Sequence, residues 1–139
     1  MKGILVDTGP LVAVLSRRDR WHETCVGTLA SLQGPVYSCW PVITEVAWLL
    51  RKEAGATQIL LKRISEGAIK ILAFADSEAD LLSQIMDKYR SLNPQLADVM
   101  LVYLAARESI NTIFTLDRRD FSIYRLARGR PLNIIPEAS

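Results

Sequence analysis

The chain has 139 residues, 50% of them hydrophobic, which suits one domain over 1–139 with an ordinary core and leaves no room for a second. Seventeen lysines and arginines against 15 acids give a formal net charge of +2, so charge alone marks neither a nucleic-acid binder nor a membrane-surface protein. Cys25 and Cys39 form no CxxC pair and no segment approaches the ~20 apolar residues of a bilayer span, so a soluble protein of the reducing cytoplasm is expected.

The first β-rich run, at 3–6, ends on Asp7, which also makes the apolar stretch too short for a signal peptide. Gly9-Pro10 then opens a helix near 10–15, and a second helix is expected near 21–32. A short strand at 36–38 leads to Trp40-Pro41 and helices near 41–53 and 56–66. After a strand at 68–72, Ser77 with Asp80 three residues on predicts a cap for a helix near 77–90. Asn93-Pro94 opens a helix at 94–108, and strands follow at 112–114 and 132–135. Strands alternating with helices imply βαβ units and an α/β fold around a parallel sheet.

Acids belong on solvated faces, so the informative ones stand where the pattern predicts an apolar residue. Asp7 ends the first strand, where open α/β sheets build ligand crevices, although a turn or helix cap is an alternative. Glu45 in "PVITEVAWLL" falls beside Leu49 at the margin of an apolar helical arc, or is simply a boundary glutamate. Asp98 in "LADVMLVYLAAR" is sharper, because Leu101, Val102 and Ala105 follow at i+3, i+4 and i+7 and put the carboxylate on the core-facing stripe. An unpaired carboxylate there costs several kcal/mol or takes up a proton, so it needs a compensating cation or donor; a buried cap is the plainer reading. Asp117 follows the strand "NTIFTL", with Asp120 three residues on and the hydroxyl of Thr115 two before; both acids could equally be turn residues.

Four such carboxylates converging on one crevice would repel one another unless a cation neutralised them. All-oxygen ligation suits Mg²⁺ or Mn²⁺. The implied chemistry is phosphodiester hydrolysis by a water whose pKa the cation lowers, with no protein nucleophile. His22 is the only histidine, which leaves a Ser-His-Asp arrangement or a zinc site without support, and it is expected at the surface or packing a helix. Arg17, Arg18, Arg118 and Arg119 lie in two arginine-rich stretches that follow Asp7 and Asp117, and are candidate contacts to a nucleic-acid backbone or a solvated face. Trp21, Trp40 and Trp48 are expected as core or interface residues and are not assigned to the site.

The order "LVDTGPLVAVL", "TEVAWLL", "LADVMLVYLAAR" and "TLDRRDF" resembles the PIN-domain ribonucleases, most closely the VapC-type toxins of toxin–antitoxin pairs. The resemblance implies a three-layer α/β/α sandwich with a mostly parallel sheet, and a metal-dependent endoribonuclease that cleaves RNA. It carries the acidic constellation onto Asp7, Glu45, Asp98 and Asp117, with Asp7, Asp98 and Asp117 as ligands of Mg²⁺ or Mn²⁺, and Asp120 and Thr115 as further members. It also implies a homodimer and a cognate antitoxin protein. The competing reading is a non-cleaving RNA- or protein-binding module of the same fold; an aspartyl-phosphate enzyme would want a second acid where the chain has Gly9.

Overall fold

The computed structural model describes residues 3–137. Five strands, β1 (Ile4–Val6), β2 (Val36–Ser38), β3 (Lys70–Ile71), β4 (Thr112–Phe114) and β5 (Asn133–Ile135), form one sheet in the order β3-β2-β1-β4-β5. Every strand pair is parallel, and Leu5 at the centre stands opposite Tyr37 on one side and Ile113 on the other.

Parallel neighbours need crossovers, and helices supply them. Helices α1 (Thr8–Leu15) and α2 (His22–Ser31) join β1 to β2, while α3 (Trp40–Leu49) and α4 (Ala56–Ser65) join β2 to β3. Helices α5 (Ala79–Lys88) and α6 (Leu96–Glu108) precede β4, and a single turn, α7 (Arg118–Phe121), follows it. Covered on both faces, the sheet is the middle layer of an α/β/α sandwich. That is why β1 reads as an unbroken apolar run, with all three residues buried. Helix α6 is apolar nearly all round for the same reason, burying Ala97, Val99, Met100, Leu101, Val102, Leu104 and Ala105. Gly3 starts β1 at φ +133°, where a Cβ would stand 2.8 Å from the Pro35 carbonyl, so only glycine lets the strand enter this close to its neighbour.

The chain builds outward from β1 to β2 and β3, then returns to the other side of β1 for β4 and β5. Between the carboxyl ends of β1 and β4 the crossovers leave in opposite directions, and a crevice opens there.

The elements follow the sequence-based expectation with local differences. Helix α3 ends at Leu49, because the hydroxyl of Ser16 holds the Glu53 carboxylate at 2.6 Å and the chain turns through Gly55 at φ +78°. Ser77 is not a cap: it sits inside a 3₁₀ turn, Asp76–Glu78, where the Glu78 carboxylate accepts the Ala75 N–H. Asn93-Pro94 lies outside α6, since a residue before proline is disfavoured in the α region, and Asn93 takes φ +49° while Gln95 becomes the N-cap. The strand expected over 68–72 pairs only at Lys70 and Ile71. Helix α7 is too short to show a period and was not expected.

Candidate active site

Asp7 leaves β1 still on the ladder, its N–H donating to the Phe114 carbonyl at 2.9 Å. It occupies the N-cap position of α1 but makes no side-chain capping bond. The N3 residue is Pro10, which has no N–H to offer. The carboxylate is bound instead by Thr115, whose hydroxyl donates to Asp7 Oδ2 at 2.8 Å across the β1–β4 crevice. Having donated its single proton, Thr115 Oγ1 accepts the Asp117 N–H at 3.0 Å, and Asp117 Oδ1 in turn accepts the Asp120 N–H at 3.1 Å as the cap of α7. One chain of bonds thus runs from the end of β1 to the turn after β4 and sets both aspartates of "TLDRRD".

These residues and two helices enclose an open cleft of about 600 Å³, lined by Asp7, Glu45, Asp98, Asp117 and Asp120, with Gln95 at its edge. Glu45 comes from the middle of α3 and Asp98 from the first turn of α6. Leu101, Val102 and Ala105 on the Asp98 stripe are buried as expected, and Asp98, in the first turn, is the half-buried end of that stripe facing the cleft. Among the described residues no lysine or arginine lines the cleft.

Burial pushes the Asp98 carboxyl up to about 7, and the charges of Asp7, Asp117, Glu45 and Asp120 push the same way. Asp7 is also raised, by burial first, with the Thr8 N–H and the Thr115 hydroxyl opposing. Among the described residues Asp98 accepts no hydrogen bond, so it caps no other segment. Beneath this wall lies Tyr124, fully buried against Tyr89 and Phe121, with its hydroxyl unpaired and its pKa raised by burial and by Asp98, Asp120 and Asp117.

Asp98, Asp117 and Asp120 each offer an oxygen within 4.8 Å of the other two. A hard cation with oxygen ligands at ~2.1 Å holds opposite ligands ~4.2 Å apart, close to that separation. Three unbalanced carboxylates with no cationic side chain among them fit such an ion. The tightest grouping contains Asp120 in place of Asp7, which Thr115 holds further inside. The signal for Asp120 was its i, i+3 spacing from Asp117, which one helical turn converts into adjacency.

Other candidates fall elsewhere. Arg17 and Arg18 are exposed beyond the end of α1 remote from Asp7. Arg118 donates to the Pro136 carbonyl at 2.7 Å, which ties α7 to the chain after β5, and Arg119 is exposed beside the acids. His22 packs α2 on α1, its Nδ1–H donating to the Ala13 carbonyl at 2.7 Å. Cys25 and Cys39 are buried, separate and held at about 11 by burial. None of the three tryptophans is in the core. Among the described residues no helix is long and apolar enough to cross a membrane.

The PIN domain family model matches residues 4–128. Ribonuclease VapC26 of Mycobacterium tuberculosis is 27% identical over 135 residues, which span 96% of this chain and 100% of that protein. The crystal structure of Mycobacterium tuberculosis VapC20, a Sarcin-Ricin loop cleaving toxin, matches with a TM-score of 0.80 over 92% of this chain and 99% of its own, at 19% identity, and so speaks for the fold. With the family model covering nearly the whole chain, acids included, the chain belongs to the PIN-domain family, and its similarity is to the VapC-type ribonucleases within it.

Proposed function

We propose that the protein is a divalent-metal-dependent endoribonuclease, the toxin of a toxin–antitoxin pair, working in the cytoplasm on Mg²⁺ or Mn²⁺. The observation that carries this reading is the acidic cleft itself: five carboxylates share it, no basic residue among the described ones lines it, and Asp98 is pushed up to about 7 by burial and by the charges of its acidic neighbours. The family and its named ribonuclease relative point the chemistry toward RNA. A cognate antitoxin and a homodimer belong to the reading by kinship alone.

Asp98, Asp117 and Asp120 would hold the cation, which when bound would neutralise the carboxylates and the scissile phosphate and lower the pKa of a water. Thr115 orients Asp7 by donating to it, a bond that favours the ionised carboxylate against the effect of burial, and fixes the Asp117 backbone by accepting from it. Asp7 and Glu45 border the same space and serve to take the proton the attacking water gives up. The test is cleavage by the purified protein, free of any partner, on several RNAs. Cutting with added Mg²⁺ or Mn²⁺ that stops with chelator is the expected result; intact RNA throughout would favour a binding module.

A further inference from the structure

Among the described residues two buried side-chain polar atoms have no hydrogen-bond partner, the hydroxyls of Thr8 and Tyr124. Thr8 lines the acidic cleft and reaches it by one side-chain rotation. Tyr124 has no such freedom. Its ring stands edge-on to Tyr89, with centroids 4.9 Å apart, and to Phe121 at 5.3 Å, and its N–H donates to the carbonyl of Asp120 at 3.3 Å. Tyr89 is held in turn, its hydroxyl accepting the Arg125 N–H at 3.0 Å. A phenylalanine would fill this apolar slot without burying an unpaired donor, so the hydroxyl is carried at a cost to stability. The carboxylates that face it are those of Asp98, Asp120 and Asp117: after burial itself, their charges raise its pKa, Asp98 foremost, so the hydroxyl keeps its proton and can donate it. Asp7 and Asp117 already accept bonds, from Thr115 and from the Asp120 N–H, whereas Asp98 accepts none among the described residues.

We propose that Tyr124 is a positioning residue of the metal site, its hydroxyl donating to the oxygen of Asp98 that the cation does not take. The inference rests on the metal-dependent reading and adds what holds Asp98 in place. One oxygen of Asp98 is enough for the shared site with Asp117 and Asp120. The other still needs a donor, because the residue is half-buried and lacks full hydration. The bond is not formed in this structure; Asp98 completes it by turning its side chain as it takes up the ion. A neutral donor suits the place. A lysine or arginine would hold the carboxylate as firmly, but its charge would repel the cation, whereas a clamped phenol fixes the oxygen and leaves the negative charge of the site intact.

The test is calorimetric titration of the purified full chain with Mn²⁺, without RNA, comparing wild type with Tyr124→Phe. The variant should bind Mn²⁺ about 10-fold to about 100-fold more weakly, the range for loss of a donor to a ligating group. With chelator it should melt at the wild-type temperature or above, since it leaves no buried donor unpaired. Its RNA cleavage should fall at limiting Mn²⁺ and return at saturating Mn²⁺. Tyr89→Phe, which removes a hydroxyl from the same aromatic cluster, should leave Mn²⁺ affinity unchanged. Affinity of Tyr124→Phe within about twofold of wild type overturns the proposal. So does an equal loss in Tyr89→Phe, which would assign the effect to packing. A Tyr124→Phe protein that melts lower in chelator also overturns it, because the hydroxyl would then have a structural partner. Failure of the metal reading looks different: wild type that binds no Mn²⁺ sinks both, whereas wild-type binding that Tyr124→Phe leaves untouched sinks this proposal alone.

Discussion

Replacing Asp98 by asparagine separates a functional carboxylate from a structural one. In the metal-free protein the Asp98 carboxyl is held at about 7, against 3.8 for the free group. A carboxyl raised on folding contributes most to stability below pH ~4, and that contribution is lost as pH climbs through 7, where the folded state must carry the charge. At 1.36 kcal/mol per pH unit the interval sets a ceiling of about 4 kcal/mol. Because Asp98 is only partly buried and water screens its neighbours, about 1–2 kcal/mol is expected in practice. The asparagine side chain carries no charge, so with chelator at pH ~8 the variant should melt about 3–7 °C higher than wild type, and at pH ~3.5, where the carboxyl is largely protonated in both states, the two should nearly coincide. Added Mn²⁺ should raise the melting temperature of wild type only, and RNA cleavage by the variant should vanish. A variant less stable at pH ~8 by about 2 kcal/mol or more would show that Asp98 is a buried structural acceptor, and the basis for a cation site would be gone.

Three further outcomes follow from the same geometry. Thr115→Val removes the donor to a buried carboxylate and should cost about 1–3 kcal/mol in urea unfolding, with cleavage reduced and Thr115→Ser restoring both; a neutral Thr115→Val would mean that Asp7 does not depend on this bond. Proton and cation compete for Asp98, so Mn²⁺ affinity by calorimetry should fall about tenfold per pH unit below 7 and level off above it; a flat profile from pH ~5.5 to ~8.5 would exclude Asp98 as a ligand. Cys25 and Cys39 should ignore a thiol-exchange reagent in the native protein and both react in denaturant, since burial holds each thiol at about 11; native labelling of either would refute its burial.

Much of the fold was legible because its cues are local. The unbroken apolar β1 announces a strand covered on both faces, Trp40-Pro41 and Gly9-Pro10 announce first helical turns, and alternation of strand and helix announces a parallel sheet. Boundaries failed where a distant side chain intervened: Glu53 is drawn to Ser16 from 37 residues away, and no local pattern contains that bond. In "TLDRRDF" the opposite problem arises, since a helix of four residues is shorter than the period that would reveal it.

The sequence by itself determined which acids are out of place, because an apolar stripe interrupted at Asp98 is visible to periodicity alone, and so is a carboxylate at the end of an apolar strand. Which of those acids touch was decided only by the tertiary structure. Asp98 and Asp117 are close because the crossover to β4 lays the start of α6 over the turn that follows that strand, and Asp120 joins them through one capped turn. The same packing sends Arg17 and Arg18 away from the acids, at the far end of α1. Sequence spacing specifies which face of an element a residue takes; only the sheet order sets which faces meet.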